Sequence, residues 1–109
     1  MRAQVTAAIS SVTTTPPVQV SYDGYFNLGF GVVITGTATF KVQHCYDTIG
    51  DGTNGTVTAA NATWFDHPTV TGKTANTDGS YVQPIQYVRL NCTAWTSGTL
   101  VMTVVSAGR

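Results

Sequence analysis

Apolar and polar residues alternate with a period of two over much of the chain, a rhythm that predicts strands rather than helices. Residues 3–12 alternate weakly, with Ala3, Val5, Ala7 and Ile9 on one side and Gln4, Thr6 and Ser10 on the other. A half-buried strand or an extended arm has this pattern. Thr13-Thr14-Thr15-Pro16-Pro17 interrupts it; two prolines donate no backbone hydrogen bonds and hold Thr15 extended, which marks a hinge. Val18, Val20 and Tyr22 resume the alternation, and Asp23-Gly24 is placed for a hairpin turn before a glycine-punctuated aromatic stretch ending at Gly31. A long strand is expected over 32–46. Val32, Ile34, Ala38, Phe40, Val42 and Tyr46 share one face, opposite Thr35, Thr37, Thr39, Lys41 and Gln43. Gly36 within it marks a bulge or a tight bend.

Asp47 to Gly55 reads as a polar loop, 56–60 as a weak strand, and 71–80 as a second loop with a turn at Asp78-Gly79. Further on, Val88, Leu90, Cys92 and Ala94 alternate with polar or amphipathic neighbours, and Leu100, Met102 and Val104 do the same. Thr96-Ser97-Gly98 between these runs reads as the turn of a β-hairpin. Six to eight strands without a helical period predict an all-β chain. The expected form is one antiparallel β-sandwich domain over 1–109, of which a jelly roll is one variety, with 1–17 as an extended N-terminal arm.

Composition agrees with the pattern. Thr occurs 20 times and Val 14, Leu three times and Glu not at all, so β-branched residues stand where helix formers would. Charged residues make up 9% of the chain and cancel to a net charge of zero, against about 25% charged in an average domain. With no basic excess, nucleic acid and anionic membranes are not expected partners. No run approaches the roughly 18 apolar residues that span a bilayer, and the N-terminus lacks the apolar core of a signal peptide. An exterior clad in threonine rather than charge is expected to be covered by neighbouring subunits.

Motifs for chemistry are sparse. Asp23, Asp47, Asp51 and Asp78 sit in turn-like, glycine-rich contexts, where Asp caps its own backbone. Asp66-His67 is the one adjacent acid–histidine pair; His67 precedes Pro68 and is read as fixing a turn. His44 and Cys45 are adjacent rather than spaced as ligands. The Asp47–Asn54 loop lacks the ligand spacing of a calcium hand. Cys45 and Cys92 are read as free thiols. Neither an enzyme, a metal nor a cofactor is expected.

Aromatic residues are the remaining candidates for function. Tyr25, Phe26 and Phe30 crowd one glycine-rich stretch, and Trp64-Phe65 lies between polar segments. The plainer reading puts Trp64 and Phe65 in the core, although adjacent strand residues face opposite ways and one of them should reach a surface. The string Arg89-Leu90-Asn91-Cys92-Thr93-Ala94-Trp95-Thr96-Ser97-Gly98-Thr99, running into Val101-Met102-Thr103-Val104, resembles the ends of small structural proteins of tailed bacteriophages. Trp64-Phe65-Asp66-His67-Pro68, with Gly72-Lys73-Thr74-Ala75 and Asp78-Gly79, resembles their middle portion. The resemblance spans about residues 60–107. It implies a virion component, a capsid decoration (cement) protein on the head surface, made in the bacterial cytoplasm. It would bind the major capsid protein and copies of itself as a dimer or trimer. Val5, Ile9, Pro16 and Pro17 on the arm are the expected contact residues, followed by Tyr25, Phe26, Phe30 and Trp64. A tail or neck component, and a carbohydrate-binding module stacking Trp64, Tyr25 or Trp95 on sugars, are the alternatives.

Overall fold

The computed structural model describes residues 2–19, 28–81 and 85–107. Among them are six strands and no helix: β1 (Arg2–Ile9), β2 (Val18–Gln19), β3 (Leu28–Cys45), β4 (Phe65–Asp66), β5 (Thr77–Tyr81) and β6 (Tyr87–Ala107). All pair antiparallel in one sheet ordered β1-β6-β3-β4, with β2 also on β6 and β5 also on β3. The chain adopts the all-β, antiparallel class expected.

Two long strands organise everything else. β3 and β6 run together from Leu28 opposite Ser106 to Cys45 opposite Tyr87. Drawn straight, the 18 residues of β3 would reach roughly 60 Å, yet the longest dimension is 39 Å. The pair must therefore bend. Gly36 and Gly98 stand opposite each other with φ of 102° and 87°, a backbone conformation that glycine adopts without steric penalty. Beside them β6 carries an extra residue at two steps, near Thr37/Ala38 and Thr39/Phe40. Each such bulge adds local twist and bend. The first extra residue reverses the in–out phase and the second restores it. Val88, Leu90 and Cys92 before the bend and Leu100, Met102 and Val104 after it are consequently all buried.

The bend divides the sheet into two halves that face each other. The first half holds β1, β5, the start of β3 and the end of β6; the second holds β2, β4, the end of β3 and the start of β6. Tyr81, paired with Leu28 in the first half, meets His44 of the second half at 2.8 Å. Leu28, Phe30, Val32, Leu100 and Met102 pack with Phe40, Val42, Val88 and Leu90 in one core cluster.

Several expectations change. Thr96-Ser97-Gly98 is no hairpin turn but the middle of β6, because Gly98 serves the crossing with Gly36 and not a reversal. The loop expected over 71–80 contains β5. Gly79 signals close packing, not a turn: a Cβ there would lie 2.8 Å from the Phe30 ring. The weak strand over 56–60 is reduced to one parallel bridge, Ile49 with Val57. The expected arm is extended but not projecting: residues 2–9 form β1, paired rung for rung with Leu100–Ala107. The Thr13–Pro17 hinge is tied down as well, since Thr15 is buried and exchanges hydrogen bonds with Leu90 through its backbone N–H and its hydroxyl. The turn read at Asp23-Gly24 lies outside the described residues.

Candidate interaction surface

Alternation along β3 and β6 sends every second residue of the first half outward, and these residues form an almost uncharged face. One rung across it reads Thr6, Thr103, Gly31 and Asp78; the next reads Ala8, Val101 and Val33. Val33 is 54% exposed, and Thr6, Ala8 and Gly29 are also open. Asp78 is the one charged side chain described on this face. Polar atoms stripped of water must find partners, so a face of threonine, glycine and valine is inexpensive to cover.

The second half is different. On its outer face Gln43 Oε1 accepts from Arg89 Nε (2.9 Å) and Asn91 Nδ2 (3.1 Å), while Gln43 Nε2 donates to Asp66 Oδ1 (2.9 Å). Lys41 Nζ lies 3.3 Å from the same carboxylate. Asp66 is held below the ordinary carboxylate range, first by the Gln43 hydrogen bond and then by Lys41. The Arg89 guanidinium sits 4.1 Å above the Trp64 ring, a cation–π contact, and Trp64 Nε1 donates to Ala59 O. Beneath this cover Cys45 is fully buried, and burial pushes its thiol up. Cys45 pairs with Tyr87 and Cys92 with Phe40. That places them five rungs apart along β6, about 16 Å, too far for a disulfide; both are free.

Both histidines meet at the core between the halves. His67 Nδ1 accepts from the N–H groups of Thr69 (3.2 Å) and Val70 (3.3 Å), and its Nε2 donates to Ser80 O (3.0 Å). Both nitrogens are thus committed to backbone, as expected of a turn-fixing residue, and Asp66 turns away to Gln43. Burial above all raises the Tyr81 phenol far past its ordinary value, so it stays neutral, and its hydroxyl shares a 2.8 Å hydrogen bond with His44 Nδ1. Burial, then His67, lowers the affinity of His44 for a proton, and Asp66 opposes them. The unfolded chain takes up this proton near pH 6.5 and the folded chain only at lower pH, so stability falls as pH drops from about 6.5 toward the depressed value. The urea midpoint is expected to be lower at pH 5 than at pH 7.5, and His44→Gln should flatten that difference. Asp66 stays ionised at both pH values and does not contribute. Among the described residues no group of three or more His, Cys or Asp is placed to hold a metal ion.

The expected contact residues are scattered. Phe30 and Ile9 are core residues, 3% and 9% exposed, and so cannot form an open contact: even positions of β3 point inward, and Ile9 lies against Leu100. Val5 sits opposite Val104 on β1. Pro16 is exposed and Pro17 half-buried, away from the uncharged face beside the second half. Tyr25 and Phe26 lie outside the described residues. Trp64, half-buried under Arg89, is neither core nor open platform, and its neighbour Phe65 is 49% exposed. Alternation marks Val33 and Val101 as outward but cannot tell that Val33 stands exposed and Val101 half-buried.

No family model matches the chain, and no curated protein matches it. A solved structure from the work titled "Bacillus endospore appendages form a novel family of disulfide-linked pili" superposes with a TM-score of 0.42 at 16% identity, covering 100% of this chain and 88% of that one.

Proposed function

We propose that the chain is a structural protein of a tailed-bacteriophage particle, a capsid decoration protein that stabilises the head by bridging major capsid subunits. The observation that carries this reading is the unequal distribution of charge. Lys41, Asp66 and Arg89 are engaged on the second half, while the outer face of the first half offers Val33, Val101, Thr6 and Thr103, with Asp78 the one charge among the described side chains there and Arg2 at the end of β1. A face of this kind contributes about 25 cal/mol per Å² of apolar surface covered, less the cost of ordering. Repetition over many copies makes weak contacts effective. The resemblance of residues 60–107 to small virion proteins supports the same reading. A sugar platform on Trp64 is less favoured, since Arg89 covers one side of the ring.

The test is to incubate the purified chain with phage heads assembled without it, then count bound copies and follow head rupture on heating. Saturable binding of hundreds of copies and a higher rupture temperature are expected. About a dozen copies confined to one vertex would instead indicate a neck component, and no binding would refute the proposal.

A further inference from the structure

β1 is the sheet's one long open margin among the described residues. It pairs with β6 on one side over all eight residues, without a bulge, and no described segment pairs with its other side. The opposite margin of the first half is protected: β5 has five residues, carries Asp78, and has its Ser80 carbonyl occupied by His67. β2 and β4 are two residues each. Edge strands normally carry lysine, proline or a bulge that blocks further pairing. Arg-Ala-Gln-Val-Thr-Ala-Ala-Ile has none of these and a single charge, at its end. Unpaired backbone N–H and C=O groups over eight residues are a template for another strand.

We propose that β1 pairs antiparallel with β1 of a second copy about a twofold axis perpendicular to the sheet, joining two six-stranded sheets into one. The occupant follows from charge and phase. Ile9 lies on the core face, and Thr6 and Ala8 on the outer face. Residues directly opposite across an antiparallel ladder point to the same side. A twofold therefore centres the pairing on Val5 or on Thr6, and no register between odd and even positions is permitted. Centred on Val5, Arg2 faces Ala8 of the copy; centred on Thr6, it overhangs the end. In neither case do like charges meet, so the strand complements itself. The interface is isologous, and it makes the sparsely charged outer face continuous across both copies. This deepens the proposed function by naming how copies associate, but its test requires no phage head.

Thr6 is exposed, so Thr6→Lys leaves the monomer fold and its urea midpoint unchanged while setting two ammonium groups beside the twofold. Sedimentation velocity of the wild-type chain should show a concentration-dependent dimer, and Thr6→Lys should raise its dissociation constant by about tenfold. Amide exchange in residues 2–9 of the wild-type chain should slow as dimer forms, which decides the matter even if Thr6→Lys fails to fold. A wild-type chain that stays monomeric, a dimer indifferent to Thr6→Lys, or a dimer that leaves exchange in 2–9 unchanged would overturn the proposal. Head binding by a monomeric chain would reject the strand pairing and leave the decoration role standing.

Discussion

Gly98→Ala is expected to abolish the native fold, a loss of at least about 4 kcal/mol. A Cβ at this position would overlap the Thr35 carbonyl and crowd the Gly36 Cα, all of it backbone. The backbone also holds φ at 87°, where side chains are strained. Neither strand can yield, because β3 and β6 are paired on both sides of the crossing. Separating them would undo the bend that brings the two halves of the core together. Gly55→Ala is the control: its φ is 81°, but nothing lies within 4 Å of the added carbon, so the cost should be about 1–2 kcal/mol, that of a left-handed backbone alone. Far-UV circular dichroism and urea titration of both variants measure the difference. A cooperative, near-native Gly98→Ala transition would show that the glycine crossing is not what bends the sheet.

Phe40→Ala should cost about 3–5 kcal/mol, a large share of the roughly 5–15 kcal/mol that holds a typical domain together. Phe40 is fully buried and occupies the second half just past the bulges. Its backbone is fixed on both flanks, by Cys92 on β6 and by reciprocal hydrogen bonds with Lys73 of 2.9 and 3.0 Å. The cavity left by the ring therefore has little freedom to collapse. Phe40→Leu, which keeps most of the volume, should cost under about 1.5 kcal/mol. Urea midpoints compared at constant slope test both values.

In–out phase was legible in the sequence; chain direction was not. Alternation alone places Val32, Ala38, Phe40 and Val42 of β3 inward, with Val88, Leu90, Cys92, Leu100, Met102 and Val104 of β6. It begins β3 at residue 32, leaving out the buried Leu28 and Phe30, and it turns Tyr46, which is 49% exposed, toward the core. Gly79 and Gly98 misled because glycine serves both turns and close approaches, and only the partner distinguishes them. For Gly98 that partner is Gly36, 62 residues earlier in the chain, where no local pattern can reveal it. Thr15 was read within a hinge, yet it is pinned to Leu90, another contact between residues far apart in sequence. The same limit applies to the surface. A period of two separates Val33 from Val32, but it cannot tell that the outer face of the second half is cross-linked by Arg89, Gln43 and Asp66 while that of the first half stays bare. The low overall charge is a property of the whole sequence; which face carries the fewest charges is visible only in the fold.

The central claim is that other protein covers the sparsely charged outer face of the first half in the assembled state. Carbene footprinting of the free chain and of the chain bound to phage heads tests it most directly. Labelling at Val33 and Val101 should fall by several-fold on binding, while Phe65 on the second half keeps its reactivity. Equal labelling of Val33 in the free and bound states, or protection confined to the second half, would contradict it.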